Sequence, residues 1–188
     1  MTMGKDVIKS TFLSSKIVRK GDYDYFVNPI SEGNPPITKE LLDEITDNII
    51  EISDLDCDVI LAPEAMSIQY GAALTLRTGI PFQIIRKRAT GLLDEISFSK
   101  TTGYAESKMY LTSIPPRTKV VIVDDVLSTG GTLRSMVRAL RGRSIEVTEI
   151  IIVLDRSHNS DALSKELGIP IRTVLEVDIS NGMPIVIE

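Results

Sequence analysis

Cysteine and histidine are almost missing: Cys57 and His158 are the only ones in 188 residues. A single cysteine excludes a disulfide framework. Together the two exclude a Cys-rich zinc site and a His-pair metalloenzyme. Any metal must therefore be held by oxygen, which points to magnesium or calcium. No apolar run approaches the ~18 residues that would span a membrane. Met1 to Ser10 is polar and lacks the apolar core of a signal peptide. A soluble, cytoplasmic protein is the expectation. An excess of basic charge is missing too: 21 Lys and Arg stand against 26 Asp and Glu, a net charge of −5. That balance argues against a generally basic nucleic-acid binder. Neither Gly-x-x-x-x-Gly-Lys-Ser/Thr nor Gly-x-Gly-x-x-Gly occurs, so nothing points to a Walker A loop or a Rossmann dinucleotide fingerprint.

What is present is ordinary globular material, 43% hydrophobic and 25% charged. The length suits a single domain over residues 1–188. No repeat or low-complexity tract interrupts it. The chain to about Glu32 reads as short and irregular. Thr38 is a candidate N-cap for a helix carrying Leu41, Leu42, Ile45, Ile49 and Ile52. Apolar strands then alternate with helices: Val59–Ala62, a helix over Ser67–Thr78, and Phe82–Ile85. After these come Met109–Leu111, Val120–Val123, a helix with Leu133, Val137 and Leu140, and Val147–Leu154. A short helix over Asp161–Leu167 follows, and Asn181-Gly182 marks a hairpin between Ile171–Ile179 and Pro184–Ile187. Between Ala89 and Ser107 no strong periodicity is legible. This alternation argues for an α/β fold with a mostly parallel sheet flanked by helices. In such sheets ligands bind beyond the carboxyl ends of the strands. That rule selects Pro63–Ser67, Arg86–Arg88, Asp124–Thr132 and Asp155-Arg156.

The most informative of these is Val120-Val121-Ile122-Val123-Asp124-Asp125-Val126-Leu127-Ser128-Thr129-Gly130-Gly131-Thr132. A buried strand ends in two carboxylates, and a Ser/Thr/Gly turn leads into a helix. Hydroxyls and unpaired amides at a helix start suit an anion. Glycine lets the backbone close on it. The carboxylates can hold sugar hydroxyls directly or through magnesium. The combination suits a phosphorylated sugar.

This segment closely resembles the signature of the type I phosphoribosyltransferases, and the likeness extends over most of the chain. Tyr23 to Ser31, with Arg86-Lys87-Arg88 and Thr102-Gly103-Tyr104, is most similar to the archaeal hypoxanthine/guanine group, itself related to adenine phosphoribosyltransferases. The resemblance implies the type I fold with a small hood, here residues 1–35 and 157–188, and a flexible flap over 89–107. It implies transfer of ribose-5-phosphate from phosphoribosyl pyrophosphate (PRPP) to a purine, with Mg2+ and a homodimer. Asp124 and Asp125 would meet the ribose hydroxyls and, indirectly, the metal. Ser128, Thr129, Gly130, Gly131 and Thr132 would take the 5′-phosphate. Glu64, Ala65, Met66, Ser67 and Lys87 would face pyrophosphate, and Tyr104 would cover the reaction centre. Base contacts fall to Tyr25, Phe26, Val126, Leu127, Asp155 and Arg156.

The sequence departs at two places from the patterns it resembles. Bacterial and eukaryotic hypoxanthine-guanine enzymes carry an Asp where Ser128 stands, and adenine enzymes usually carry an acid where Gly103 precedes Tyr104. Hypoxanthine and guanine lead over adenine as substrates. A regulator that senses PRPP without catalysis is the reading from another class. Such regulators usually add a DNA-binding helical domain, and the residues before the core are not basic. Arg134, Arg138 and Arg141 share a helix face and read as solvated or as a subunit contact.

Overall fold

The apolar run that ends in Asp124 lies in the middle of the main sheet. This is seen in a computed structural model of the chain, which describes residues 4–21, 23–102, 105–112 and 114–187. The elements in order are α1 (Asp6–Leu13), β1 (Lys16–Lys20), β2 (Tyr23–Val27), α2 (Pro29–Glu32), α3 (Lys39–Ile52), β3 (Val59–Pro63), α4 (Ser67–Thr78) and β4 (Phe82–Ile85). Then follow β5 (Ile96–Thr102), β6 (Ala105–Leu111), β7 (Lys119–Leu127), α5 (Gly131–Arg141), β8 (Glu146–Asp155), α6 (Ser160–Leu167), β9 (Ile171–Ser180) and β10 (Met183–Ile187).

Six strands form the main sheet in the order β10-β9-β8-β7-β3-β4. All neighbours are parallel except β10, which returns antiparallel to β9. Side chains alternate along a strand, so β7 feeds two cores. Val120 and Ile122 join Leu133, Met136, Val137 and Leu140 of α5, while Val121 and Val123 join Ile45 and Ile49 of α3 and Leu74 of α4. A strand apolar on both faces is what a sheet covered by helices on both sides requires.

Three regions differ from the sequence reading. The segment before Glu32 is ordered structure, not irregular chain. Ile8 and Phe12 lie one turn apart on α1 and are fully buried, and β1 pairs antiparallel with β2. Within 89–107, where no strong periodicity is legible, Ile96–Thr102 forms β5 and pairs antiparallel with β6, of which only the end, Met109–Leu111, is expected as a strand. The base of this pair is part of the core, because Ile96, Phe98, Met109 and Leu111 are buried there. The C-terminal hairpin, assigned with 157–188 to the hood, extends the main sheet as β9 and β10. It still meets the N-terminal segment: the Lys5 ammonium donates to the Val174 carbonyl of β9 at 2.5 Å.

Candidate active site

Four loops leave the carboxyl ends of β3, β4, β7 and β8 along one edge of the sheet, as the topology requires. The first, after β3, is Glu64 to Met66, and its Glu64–Ala65 peptide is cis. The Glu64 N–H donates to the Ile85 carbonyl of β4 at 2.8 Å. Its carboxylate accepts the Lys87 N–H, also at 2.8 Å. Glu64 thus ties the loop to the end of β4 and is turned toward backbone. Ala65 is exposed, and the Met66 thioether packs beside Gly33. The Arg86, Lys87 and Arg88 side chains are exposed, and the Lys87 ammonium makes no hydrogen bond or ion pair with the described residues.

Ser67 opens α4 and is fully buried. Its Oγ donates to Asp124 Oδ1 at 2.7 Å, an oxygen that also accepts the Asp125 N–H at 3.0 Å. Asp124 and Asp125 are both half-buried at the end of β7. One turn along α4, Tyr70 donates its hydroxyl to the Ile30 carbonyl at 3.2 Å. Burial, then the nearby Asp125 charge, push its phenol far above the usual range. Tyr70 is a core residue.

Ser128 and Thr129 are exposed, and Gly130 precedes α5 with φ +73°. Among side chains only glycine adopts that conformation without cost. A Cβ on Gly130 would also meet Leu163 Cδ2 at 2.8 Å and Arg134 Nη1 at 3.0 Å. Gly131 is the first helical residue and Thr132 the second, and the N-cap Gly130 has no side chain to cap them. The Gly131 N–H makes only a long contact, 3.5 Å, to the Thr129 hydroxyl, so the first turn of the helix keeps donor capacity for a ligand. Arg134, read as a solvated position, instead donates to the Thr129 carbonyl at 2.9 Å and grips Glu166 of α6 with Nε and Nη2. Arg141 donates to the Leu167 carbonyl at 2.6 Å. That helix face thus braces the loop against α6, and Arg138 alone of the three is left outward among these contacts. A cavity of about 310 Å³ lies between this loop and α6, lined by Ser128, Thr129, Gly130, Ser157 and Asn159 among others.

The residues assigned to the base come together, but mostly in other roles. Leu127 pairs with Asp155 across β7 and β8, and its carbonyl accepts the Arg156 N–H at 2.8 Å. The Leu127 side chain lies in the core, so only its main chain faces outward. Asp155 is 1% exposed and folds the turn after β8 by accepting from the N–H and Oγ of Ser157 at 2.7 and 2.6 Å. Arg156 lies 4.6 Å over the Tyr23 ring and donates to the Asp24 carbonyl at 2.5 Å. Phe26 is buried and packs T-shaped against Phe12, with ring centroids 5.2 Å apart. Tyr25 and Val126 remain half-buried. Tyr104 and Gly103 lie outside the described residues.

The donor set suits a divalent cation in one respect only. Among the described residues no three acidic, histidine or cysteine side chains gather as a metal cage. Asp124 Oδ2 and Asp125 could supply one or two oxygens, the rest coming from water and substrate phosphates, as magnesium commonly accepts.

Residues 37–169 match the phosphoribosyl transferase domain family, well over half of the chain. The chain belongs to this family. Curated relatives called hypoxanthine/guanine phosphoribosyltransferase are similar over nearly the whole chain. The protein of Methanohalophilus mahii is 42% identical, covering 93% of this chain and 92% of the relative. That of Methanothermobacter thermautotrophicus is 37% identical, over 94% and 92%. Among solved structures, the adenine phosphoribosyltransferase of Thermoanaerobacter pseudethanolicus shares the fold. Its TM-score is 0.72 at 21% identity, covering 92% of this chain and 99% of that one. The family membership and the type I fold expected from the signature both hold.

Proposed function

We propose that this phosphoribosyltransferase acts in purine salvage, moving ribose-5-phosphate from PRPP to hypoxanthine or guanine and releasing pyrophosphate. The observation that carries the reading is one arrangement. The start of α5 behind Gly130, the Asp124–Asp125 pair and the Lys87 ammonium, which has no partner among the described residues, stand at adjacent strand ends. The printed names of the near-full-length relatives support the choice of base.

In this reading the C1′–O bond breaks with oxocarbenium character, as in glycoside transfer. A purine nitrogen forms the new bond and gives up its proton, and pyrophosphate leaves with the bonding pair. The amides and hydroxyls of Ser128 to Thr132 hold the 5′-phosphate. Asp124 and Asp125 hold the ribose hydroxyls. Lys87, with the main chain of Glu64 to Ser67, faces the pyrophosphate. Tyr104 covers the reaction centre. Tyr25, Val126 and the Leu127 main chain border the base, with Phe26, Asp155 and Arg156 supporting them from behind. Magnesium, held by Asp124 and Asp125 through water, would neutralise charge on the leaving pyrophosphate. A homodimer and a cytoplasmic setting belong to the same reading. Leu92 and Leu93, exposed just beyond Arg86 to Arg88, are a candidate contact surface.

The test is turnover of PRPP with magnesium and each of hypoxanthine, guanine, adenine, xanthine and uracil, followed as pyrophosphate and nucleotide. Hypoxanthine and guanine should lead. Turnover with adenine alone would move the assignment to adenine, and PRPP binding without turnover on any base would make the protein a sensor.

A further inference from the structure

The Ser67 hydroxyl is buried and turned toward Asp124. Helix α4 lies close on the sheet because residue 71 is glycine: a Cβ there would meet Phe82 Cδ2 at 2.7 Å and the Ala62 Cβ at 3.1 Å. That close approach carries the first residue of α4 past the end of β3 and up to β7, the next strand of the sheet. A fully buried hydroxyl needs a partner, and Ser67 finds it in Asp124 Oδ1 at 2.7 Å. The same oxygen accepts the Asp125 N–H. A carboxylate oxygen has about two lone-pair sites, so both on Oδ1 are filled from inside the protein. Oδ2 is the oxygen left for a ligand.

We infer that Ser67 is a positioning residue. It holds the Asp124 carboxylate in one orientation, with Oδ2 presented to the ribose of PRPP, and it joins the loop after β3 to the acidic pair. This rests on the PRPP reading of the site and deepens it. Asp124 offers a single fixed oxygen.

The experiment compares wild-type protein with Ser67→Ala, in steady-state kinetics and in a crystal structure of the variant. Removing the hydroxyl leaves the fold intact, checked by thermal midpoint, and frees Asp124 to turn. The Michaelis constant for PRPP should rise about fivefold, that for the base should stay within about twofold, and Asp124 should leave its original orientation. An unchanged PRPP constant overturns the inference. So does a raised constant with Asp124 unmoved, which would mean that Ser67 touches PRPP itself. A parallel loss for PRPP, base and thermal midpoint would reduce Ser67 to packing and overturn it too. Failure of the wild-type protein to bind PRPP at all would instead refute the proposed function.

Discussion

At the ends of β3 and β7 the polar groups are held from behind and remain open in front. Ser67 braces Asp124, Glu64 braces the Lys87 amide, and among the described residues Asp124 Oδ2, the Lys87 ammonium and, beyond one long contact to the Thr129 hydroxyl, the first turn of α5 are left over. At the exit of β8 the polar groups are spent on one another. Asp155 folds its own turn, Arg156 covers Tyr23, and His158 sits between Glu176 and Asp178 at 2.9 and 3.3 Å. The difference separates two uses of charge. A group serves a ligand when its protein partners leave donor or acceptor capacity over. A group whose capacity is filled serves the fold, here by fastening the N-terminal hairpin to the sheet.

Changes to the ligand-facing side chains of the first region should therefore cost activity with little stability, and changes at the second the reverse. The largest effect is expected from Asp124→Asn with Asp125→Asn. Turnover should fall by at least ~10²-fold, while the thermal midpoint stays near wild type, because both side chains stand half-buried at a strand end. Full activity in that protein would break the comparison outright.

Gly130→Val comes next. The left-handed backbone at residue 130 should cost about 1–3 kcal/mol of stability, and the PRPP Michaelis constant should rise more than ~10-fold as the turn moves. The same change at Gly131, a helical position, should cost less stability. Equal loss of stability at the two glycines would show that backbone conformation is not what selects residue 130.

Lys87→Ala removes a charge with no protein partner among the described residues. Losing one charge-assisted contact should raise the PRPP constant roughly tenfold without moving the constant for the base. A shift in the base constant instead would put Lys87 on the wrong side of the site. Arg156→Ala should do the opposite. The loss of its stacking on Tyr23 should cost about 1 kcal/mol of stability and raise the base constant a few-fold, with PRPP unaffected.

The smallest effect concerns His158. The Glu176 hydrogen bond, with Asp178 assisting against a desolvation penalty, raises its pKa above the ordinary value. A raised folded pKa stabilises the protein fully below the unfolded value, ~6.5, and the gain is lost as pH rises through the folded value. The pair is exposed, so the gain is small and shrinks with salt. The thermal midpoint of wild type should exceed that of His158→Gln at about pH 6 and match it at about pH 9. A gap that does not change with pH would mean that the contact is not ionic.

The sequence carried the main sheet well, because buried parallel strands are unbroken apolar runs. Phe82–Ile85 and the helix over Ser67–Thr78 have the same bounds in the structure. It carried the α5 loop because its chemistry is local: strand, acids, Gly-Gly and helix start are contiguous. Strand β5 was missed although Ile96 and Phe98 alternate with serines, since the flanking Lys100 to Gly103 dilutes the pattern, and of β6 only Met109–Leu111 was legible. Helix α1 had its signal in the one-turn spacing of Ile8 and Phe12. The partners Ser67–Asp124 and Arg156–Tyr23 lie far apart in the chain, so no local pattern could pair them. Burial of Phe26 and Asp155 likewise depends on what the fold brings against them.

The most direct test of the account is a crystal structure with a purine nucleoside 5′-monophosphate and pyrophosphate bound in the presence of magnesium. The 5′-phosphate should rest on the amides of Thr129 to Thr132, a ribose hydroxyl should meet Asp124 Oδ2, and pyrophosphate should lie within reach of Lys87. A nucleotide phosphate seated instead in the cavity between the α5 loop and α6, with Asp124 and Asp125 untouched, would contradict it.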